Sequence, residues 1–413
     1  MLNQLLQQAK DAQKGLRLAD GSRRNQVLAA MRDLLRERQT EILAVNQAEV
    51  QRAEAAGLTG ALLKRLVLTE KKLAELADGL KTVARLPDPL GQGPRWTLDN
   101  GLKLNTVRVP LGVIGLIFES RPGVAIEAAG LTVKSGNAII LRSGHEALDT
   151  VTLLTRLWQD ALERAGLPRF AVQSVEKPDR QYAVEMMHLT GLDLLIPRGG
   201  AGLIQTVVKE ATVPVIETGV GNCHLYVDKA ADLDMAVKIL RDGKVGNPAV
   251  CNALETVLVH RDVKEAFLTR AYAALEDDGV TWHGDPEVRR ILPQAVAADE
   301  PDWANEYLSL DLAAKVVDGL EEALAHIERY GTFHSEAVVT NDYVVGQTFL
   351  ERVDAAVVYW NASTRFTDGF QFGFGAEVGI STQKMHARGP MGLEALTTTK
   401  TLAYGMGQTR DLH

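Results

Sequence analysis

The sequence has only two cysteines, and one of them stands where a thiolate could attack a substrate. Cys251 follows the helix-ending residues Gly246, Asn247 and Pro248, and a strand-like segment begins a few residues later. A cysteine at such a boundary can be presented to a cleft as a nucleophile, although a small buried apolar side chain is an equally good interpretation. Cys223, inside the alternating segment CHLYVD, is expected to pack in the core.

Two turns carry groups that could hold a dinucleotide. Arg198, Gly199 and Gly200 follow the apolar run LDLLIP and precede a helical segment, so free backbone N–H groups there could receive a pyrophosphate. A plain tight turn is the alternative. After the run AIILR, Arg142 and Ser143 offer a guanidinium and a hydroxyl, which favours the ribose 2′-phosphate of NADP over NAD. The alternative there is a solvent-facing turn.

One carboxylate and two histidines complete the candidates for chemistry. Glu217 ends the segment PVIE, interpreted as a buried strand, and a carboxylate at that end could act as a general base or be an ion-paired edge residue. His326 and His334 lack a zinc-ligand spacing, and no other histidine or cysteine clusters with them. The sequence therefore predicts no metal site.

The elements that must position these residues follow from the hydrophobic pattern. Residues 1–86 have apolar side chains at helical spacing, whereas LKLNTVRV alternates like a half-exposed strand and later apolar runs are typical of buried strands. Strands are predicted at 113–118, 138–142, 192–197, 255–260, 314–318, 336–340 and 355–360. Helices are predicted between them at 124–135, 146–165, 179–189, 200–210, 263–276, 319–329 and 343–352. This alternation predicts a doubly wound α/β domain followed by a second α/β domain.

Composition limits the partners. The net charge of -8 comes without a basic block, so nucleic acid is not an expected partner. No apolar run reaches the roughly 18 residues of a membrane span, and the N-terminus lacks the apolar core of a signal peptide. Two cysteines exclude a disulfide framework and fit a reducing compartment. A cytoplasmic protein with no membrane association is expected.

Several blocks together resemble the aldehyde dehydrogenase family, and more closely its γ-glutamyl phosphate reductase branch, over essentially the whole chain. The family-like blocks are VPLGVIGLIFESRPGV (109–124), LTVKSGNAIILRSGHEA (131–147), IPRGGAGLI (196–204), VIETGVGNCHLYVD (215–228) and GNPAVCNALETVLVH (246–260). The blocks most specific to the branch are ALAHIERYGTFHSEAVVT (323–340) and the Gly- and Phe-rich segment 361–400.

The resemblance implies an α/β, aldehyde dehydrogenase-like fold with a Rossmann-type cofactor domain, a second α/β catalytic domain and an oligomerisation hairpin. Residues 1–218 would form the NADP-binding domain with its helical N-terminal part, interrupted by a hairpin strand at about 97–110. Residues 219–378 would carry the nucleophilic cysteine, and residues 379–413 would form an oligomerisation tail. LKLNTVRV and this tail are expected to pair across a subunit boundary in a homodimer or homotetramer.

The resemblance also assigns parts to single residues. Cys251 occupies the place of the family's thiol nucleophile, and Glu217 that of a glutamate followed by small residues. Glu306 resembles the glutamate that touches the nicotinamide ribose. Gly136 and Asn137 resemble a Gly-Asn pair before the adenosine-binding strand, and are therefore expected to bind the cofactor.

The segment IFESRP departs from ordinary aldehyde oxidisers, which carry there an asparagine that steadies the oxyanion. Arg121 stands in this segment, and a fixed cation suits an anionic acyl phosphate better than a neutral aldehyde. Arg365 is the second candidate cation, and Asn361 and Ser363 of the same loop are expected to contact substrate. Each arginine could equally be a salt-bridged surface residue. The backbone N–H of Cys251 is expected to take over part of the oxyanion stabilisation.

The implied activity is the NADPH-dependent reduction of L-glutamyl 5-phosphate to L-glutamate 5-semialdehyde, with release of phosphate, through a cysteine thioester in proline biosynthesis. Association with a glutamate 5-kinase, which would supply the labile substrate, is a further expectation. The alternative is a hydrolytic aldehyde dehydrogenase for a small semialdehyde, with Glu217 activating water. An inactive nucleotide-binding scaffold is disfavoured by the intact Cys251, Glu217 and Gly-rich turns.

Overall fold

The computed structural model describes residues 1–91 and 93–410, which divide into two compact units. Unit 1 comprises residues 1–217, 373–379 and the described residues from 391 onward; unit 2 comprises residues 218–372 and 380–390. The stretch 379–413, which we expected to form a separate tail, is thus divided between the two units. The functional assignment of each domain stays a prediction.

Nine helices belong to unit 1 in the described part of the chain, and the first five confirm the helical prediction for residues 1–86. They are α1 (Leu2–Leu18), α2 (Gly21–Glu37), α3 (Gln39–Ala55), α4 (Gly60–Leu66), α5 (Glu70–Arg85), α6 (Val124–Lys134), α7 (Leu148–Arg164), α8 (Gln181–Met187) and α9 (Ala201–Glu210). Side-chain caps fix two starts: Asp20 accepts the N–H of Arg23 in α2, and Thr69 accepts that of Lys72 in α5.

A parallel four-stranded sheet in the order β5-β4-β3-β6 lies at the centre of unit 1. The strands in chain order are β1 (Arg95–Thr97), β2 (Lys103–Pro110), β3 (Val113–Phe118), β4 (Ala138–Ser143), β5 (Val172–Ser174) and β6 (Leu194–Arg198). Every residue of β3 is buried, as its continuous apolar run predicts. Gly115 lies at its middle because a Cβ there would meet Met186, Leu192 and Leu195 at 3.0 Å or less.

Unit 2 is built on a seven-stranded parallel sheet in the order β10-β9-β11-β8-β7-β12-β13, in which all six neighbouring pairs are parallel. Its strands are β7 (Cys223–Val227), β8 (Leu254–His260), β9 (Thr281–Gly284), β10 (Val296–Ala297), β11 (Asp311–Val317), β12 (Ser335–Val339) and β13 (Val357–Trp360). Its helices are α10 (Leu233–Val245), α11 (Lys264–Leu275), α12 (Pro286–Ile291), α13 (Glu300–Ala304), α14 (Leu320–Tyr330) and α15 (Tyr343–Arg352). A two-stranded antiparallel ribbon, β14 (Ile380–Ser381) with β15 (Gly389–Pro390), completes the unit.

The second sheet of unit 1 corrects the expected pairing across a subunit boundary. The last strand, β16 (Thr397–Tyr404), pairs antiparallel with β2 of its own chain along all eight residues, from Thr397 opposite Pro110 to Tyr404 opposite Lys103. The sheet order is β1-β2-β16, so β16 is an edge strand among the described residues. The alternating pattern of LKLNTVRV predicts a strand, but it does not predict whether the pairing strand comes from the same chain or from a second copy.

The segment before Glu217 is not the buried strand that its apolar letters predict. Only Val215 forms a single parallel bridge, to Leu195, and residues 216–222 have no regular secondary structure. Pro214 in this segment has no N–H to donate to a sheet ladder, which limits the pairing. Glu217 itself is half-buried on this irregular stretch.

Candidate active site

Cys251 is half-exposed on the loop between α10 and β8, and its backbone is held from the start of β7. The thiol of Cys223 donates to the Cys251 carbonyl oxygen, with 3.3 Å between sulfur and oxygen. Gly221 packs directly on the same carbonyl, because a Cβ there would fall 1.5 Å from the oxygen. Burial raises the pKa of the Cys223 thiol well above its ordinary range, so that this group remains a protonated donor. The prediction that Cys223 is a buried core residue is confirmed.

The residue after the nucleophile ties this loop to the one that carries Arg365. The side-chain amide of Asn252 donates to the backbone oxygens of Arg365 (3.3 Å) and Thr367 (2.9 Å). In return, the Arg365 guanidinium donates to the Asn252 side-chain oxygen. The structure therefore brings the predicted cation Arg365 to the neighbour of Cys251 in the chain.

Ser363 and Asn361 hold the backbone of the same loop. The Ser363 hydroxyl accepts the N–H of Arg365 at 3.2 Å and caps a short 3₁₀ turn. Asn361 has a left-handed φ of 59°. Its side-chain oxygen accepts the N–H of Thr340, and its side-chain NH₂ donates to the Thr340 carbonyl oxygen, both at 3.0 Å. These contacts are structural, and contact of either side chain with substrate stays a prediction.

Glu306, predicted to touch the nicotinamide ribose, lies close to the nucleophile. Its carboxylate accepts the backbone N–H of Gly221 at 2.8 Å, and Gly221 in turn packs on the Cys251 carbonyl. Gly221 therefore contacts both the carboxylate of Glu306 and the backbone carbonyl of Cys251.

The segment most specific to the branch forms a buried polar chain in unit 2. His334 Nδ1 lies 2.9 Å from the Ser335 hydroxyl, and Ser335 Oγ lies 2.7 Å from the Thr367 hydroxyl oxygen. The Tyr359 hydroxyl lies 2.8 Å from the same Thr367 oxygen. Sequence reasoning did not select Asn252 or Thr367, because a single amide and a single hydroxyl have no distinctive spacing.

An ion pair between Lys244 of α10 and Glu255 of β8 is completely buried, with Nζ 2.5 Å from the carboxylate. Burial raises the pKa of Glu255 to about 7 against the pull of Lys244, and burial lowers the pKa of Lys244. The backbone N–H of Leu308 approaches the other oxygen of Glu255 at 3.4 Å. The loop that begins with Glu306 is therefore anchored on a titratable buried pair.

Four histidines of unit 2 are buried: His224, His260, His326 and His334. Burial lowers the pKa of His326 to about 2, so its ring stays neutral between Trp303, Tyr330 and His224.

Across residues 1–91 and 93–410, no group of three or more His, Cys, Asp or Glu side chains could hold a metal ion. Within the same part of the chain, no helix is both long and apolar enough to cross a membrane.

In unit 1, a cavity of about 810 Å³ opens beyond the carboxyl ends of β3 and β4, which is where doubly wound sheets bind ligands. Its volume is in the range of cofactor pockets. The walls are largely apolar, and charged side chains converge at one part of it. The apolar lining includes Ala53, Ala56, Leu58, Leu62, Ala183, Val184, Met187 and Leu203, and the charged lining Glu119, Arg142, Glu146, Arg180 and Glu210.

Arg142, predicted to hold a 2′-phosphate, lines this cavity, and its guanidinium donates to the backbone oxygens of Pro178 (3.3 Å) and Asp179 (3.4 Å). Burial lowers the pKa of Arg142, and the nearby Arg180 acts in the same direction. Arg142 Nε and the hydroxyl of Ser143 are buried without a hydrogen-bond partner among the described residues. Sequence reasoning missed Arg180, because a lone arginine after Lys177 and Pro178 is typical of an ordinary polar loop.

The Gly-rich turn predicted to hold a pyrophosphate is engaged by a carboxylate. Gly200 caps α9, and its N–H donates to Glu119 at 2.9 Å. A Cβ on Gly199 would lie only 2.4 Å from the same carboxylate. Ser120, at a left-handed φ of 40°, is held by Glu146, which accepts both its N–H (2.8 Å) and its hydroxyl (2.6 Å). Burial acts to raise the pKa of Glu146, but the bonds from Ser120 outweigh it and the pKa is lowered.

Gly136 and Asn137 lie away from the other predicted cofactor residues, and their contact with a cofactor stays a prediction. Both precede β4, at the opposite end of the strand from Arg142 and Ser143, and both are buried. Gly136, at a φ of 77°, ends α6, with its N–H bonded to Val133 O and that of Asn137 to Thr132 O. The Asn137 amide bonds Gly112 N, Ser135 Oγ and Leu396 O. The Gly-Asn pair therefore forms the C-terminus of α6.

The remaining predicted residues of unit 1 are engaged with the protein. Arg198, at the end of β6, lies 3.6 Å from the carboxylate of Glu377. Arg121 lies near the partly buried ammonium of Lys72, whose pKa is lowered by burial and further by Arg121. Arg121 and Glu217 belong to unit 1, whereas Cys251, Glu306 and Arg365 belong to unit 2.

Comparison with known proteins agrees with this fold. The model of the aldehyde dehydrogenase family matches residues 2–289. The gamma-glutamyl phosphate reductase of Moorella thermoacetica is 54% identical over 406 residues, which cover 98% of this chain and 97% of that protein. The crystal structure of the gamma-glutamyl phosphate reductase of Thermotoga maritima superposes with a TM-score of 0.96 at 43% identity, covering 99% of this chain and all of that one.

A more distant structure shows how far the fold extends. The acetylating aldehyde dehydrogenase of Geobacillus thermoglucosidasius has a TM-score of 0.72 at 19% identity, covering 99% of this chain and 97% of that one, and shares the fold alone. The fold and the loop-borne thiol of unit 2 define an enzyme of the aldehyde dehydrogenase type. The chain belongs to the aldehyde dehydrogenase family and, within it, to the gamma-glutamyl phosphate reductases.

Proposed function

We propose that this enzyme reduces L-glutamyl 5-phosphate to L-glutamate 5-semialdehyde through a thioester on Cys251, with NADPH as reductant and release of phosphate, as a step of proline biosynthesis. The observation that carries the proposal is the contact of the Arg365 guanidinium with Asn252, the residue that follows the half-exposed Cys251 in the chain. An acyl phosphate is anionic, and a guanidinium is the side chain best suited to bind it.

In the proposed reaction, the Cys251 thiolate attacks the acyl carbonyl, a carbon–sulfur bond forms, and the carbon–oxygen bond to phosphate breaks. Phosphate leaves with the electron pair, and Arg365 is the cation we assign to its charge. NADPH, when bound, supplies the hydride that reduces the thioester. The resulting thiohemiacetal collapses to the aldehyde and regenerates the thiolate. The backbone N–H of Cys251 is the donor we assign to the developing oxyanion.

The residues of unit 1 fit NADPH. The 810 Å³ cavity offers apolar walls for an adenine, and Arg142 and Arg180 are cations for a 2′-phosphate. The unpartnered Arg142 Nε and Ser143 hydroxyl are buried polar groups that a ligand could satisfy. In unit 2, Glu306 is the group we propose for the nicotinamide ribose. Arg198, Gly199 and Gly200 stay candidates for the phosphates, and Arg121, Asn361 and Ser363 for the substrate.

We also propose a homo-oligomer in which a second copy adds to the edge strand β16. Along β16, residues 398–401, 403 and 404 are exposed, and an eight-residue edge strand is a ready surface for further strand pairing. Association with a glutamate 5-kinase stays a prediction from the resemblance.

The reaction run backwards tests the proposed function. With L-glutamate 5-semialdehyde and NADP⁺, the thioester on Cys251 must be released by phosphate in a reductase, and by water in a hydrolytic enzyme. The expected result is that NADPH formation requires inorganic phosphate and that arsenate replaces it. NADPH formation at full rate in phosphate-free buffer, with free glutamate as product, would contradict the proposal. In that case the hydrolytic alternative would hold, with Glu217 as its base.

A further inference from the structure

Cys223 makes a specific contact that an ordinary core residue does not need. Its side chain is completely buried at the start of β7, on the same face as Leu225 and Val227, and it belongs to the same apolar cluster. Nevertheless its S–H is directed at the Cys251 carbonyl oxygen, 3.3 Å from the sulfur. A thiol is a weak donor, but this one is fixed, because β7 pairs with β8 on one side and with β12 on the other.

Four further residues close a ring around the nucleophile's backbone. From Cys251 the ring passes to Asn252, whose amide donates to Thr367 O at 2.9 Å. The Thr367 hydroxyl lies 2.7 Å from Ser335 Oγ, and Ser335 Oγ lies 2.9 Å from His334 Nδ1. His334 Nδ1 lies 3.8 Å from the Cys223 sulfur, which returns to the Cys251 carbonyl.

All members of the ring except Cys251 are buried, so each bond is shielded from water. Cys223, His334, Ser335 and Thr367 have no exposed surface, and Asn252 has 4%. Buried hydrogen bonds fix positions, because breaking one leaves a desolvated group unpaired. The peptide carbonyl of Cys251 is therefore held on one side by Cys223, while Asn252 holds the other side of the loop.

We propose that Cys223 is a positioning residue of the reaction: by donating its S–H to the Cys251 carbonyl, it fixes the loop that aims the catalytic thiol. The inference rests on the proposed function, in which Cys251 is the nucleophile. A nucleophile displaced by about 1 Å loses on the order of 100-fold in rate, so a single fixed carbonyl can matter for turnover. Cys223 itself does not touch the substrate.

Two substitutions separate positioning from packing. Cys223→Ser keeps an O–H donor at the same place, whereas Cys223→Ala removes the donor without adding a polar atom. If Cys223 were only a core residue, the buried hydroxyl would be the poorer replacement and neither variant would change turnover per folded molecule. If it positions Cys251, the order of kcat is wild type, then Ser, then Ala. Val227→Ala, on the same strand and face, is the matched packing control.

The measurements are kcat and KM for semialdehyde oxidation with NADP⁺ and phosphate, thermal midpoints, and the rate of alkylation by iodoacetamide. Because the chain has only two cysteines, Cys251 is the sole thiol in both Cys223 variants, and alkylation reports on it alone. We expect Cys223→Ala to lower kcat about tenfold with KM nearly unchanged and to alter the alkylation rate. Cys223→Ser should stay within about threefold of wild type, and Val227→Ala should lower only the thermal midpoint.

A folded Cys223→Ala variant with wild-type kcat and alkylation rate would overturn the inference. If that variant does not fold, Ser335→Ala interrupts the same ring one bond further away, and an unchanged kcat in a folded Ser335→Ala enzyme would equally overturn it. Cys251→Ser separates the two proposals. If Cys251→Ser keeps turnover, the proposed function fails. If it is inactive while Cys223→Ala is normal, only the positioning inference fails.

Discussion

At the residue scale, the thiol of Cys251 is set apart from that of Cys223 by exposure. Cys251 is half-exposed on a loop, whereas Cys223 is buried and its pKa is raised by that burial. Only a thiolate is a strong nucleophile, and burial disfavours the thiolate at Cys223, so the half-exposed thiol is the better candidate to meet a substrate.

We expect Cys251→Ser to abolish turnover while NADPH binding remains nearly unchanged. A serine hydroxyl without a strong base beside it is a far weaker nucleophile, and the proposed cofactor residues are not altered. Steady-state kinetics and fluorescence titration of NADPH check the two parts. Cys223→Ser is the matched control and should keep most of the activity. An active Cys251→Ser enzyme would exclude Cys251 as the nucleophile.

Arg142→Ala should weaken NADPH binding more than NADH binding. Only NADPH has a 2′-phosphate for the guanidinium, and a charge-assisted hydrogen bond contributes about 1.5 to 3 kcal/mol. Dissociation constants for both cofactors are the measurement. Arg156→Ala, which removes a more exposed arginine paired with Glu176, serves as control and should change neither. Equal weakening of both cofactors would move the phosphate site away from Arg142.

At the element scale, the N-terminus of α9 has a carboxylate where an anion was expected. Glu119 accepts the N–H of the capping residue Gly200, and negative charge at this position is stabilised by the helix dipole. A cofactor phosphate bound at the same turn would have to compete with Glu119 or displace it.

We therefore expect Glu119→Gln to tighten NADPH binding. Loss of the competing charge is worth about 0.3 to 1 kcal/mol, or up to roughly fivefold in the dissociation constant. Glu210→Gln removes a charge from the same cavity at the other end of α9 and should have a smaller effect. Weaker binding by Glu119→Gln would instead show that this carboxylate holds the cofactor directly.

The pair of Lys244 and Glu255, which joins α10 to β8, makes stability depend on pH. Burial raises the pKa of Glu255 to about 7, from about 4.3 in an unfolded chain. Between these values the folded protein keeps a proton that the unfolded chain releases. The stability contributed by Glu255 is therefore present below about pH 4.3 and is lost as the pH rises to 7.

Relative to Glu255→Gln, the wild type should lose stability from pH 5 to 7, by at most about 1.4 kcal/mol per pH unit, and remain level above that. Urea unfolding at several pH values measures the difference. Glu321→Gln is the control, because the hydrogen bond from Arg352 lowers the pKa of Glu321 and no loss is expected in this window. A difference that is independent of pH would contradict the assigned pKa of Glu255.

Most helices and strands could be predicted from the sequence, whereas fewer of the contacts between their side chains could be. The apolar run of β3 gave its bounds to the residue, whereas β9, α12, β10 and α13 are too short for periodicity to reveal. Cys251, Glu306 and Arg365 could be selected from the sequence because their types and blocks are distinctive. The assignment of Gly136 and Asn137 stays a prediction, because a Gly-Asn pair before a strand fits a ligand turn as well as the end of a helix.

At the scale of the whole molecule, the exposed edge of β16 makes assembly testable. Ala403→Glu places a charge on this edge, and a charge on an exposed edge strand disfavours the addition of a further strand. Sedimentation should then show smaller species than the wild type. Thr97→Glu, on the opposite edge strand β1 of the same sheet, is the control and should leave the assembly intact. An unchanged Ala403→Glu oligomer would place the interface elsewhere.

The pairing of β2 with β16 also sets an order of folding during synthesis. The side chains of Arg108 and Thr397 hydrogen-bond at 3.0 Å although they are 289 residues apart in the sequence. At about 5 to 20 residues per second, β2 leaves the ribosome roughly 15 to 60 seconds before its partner exists. All of unit 2, which ends at residue 390, is made in that interval. The unpaired β2 of unit 1 must therefore wait while unit 2 is made, which exposes this strand to chaperones and to premature association.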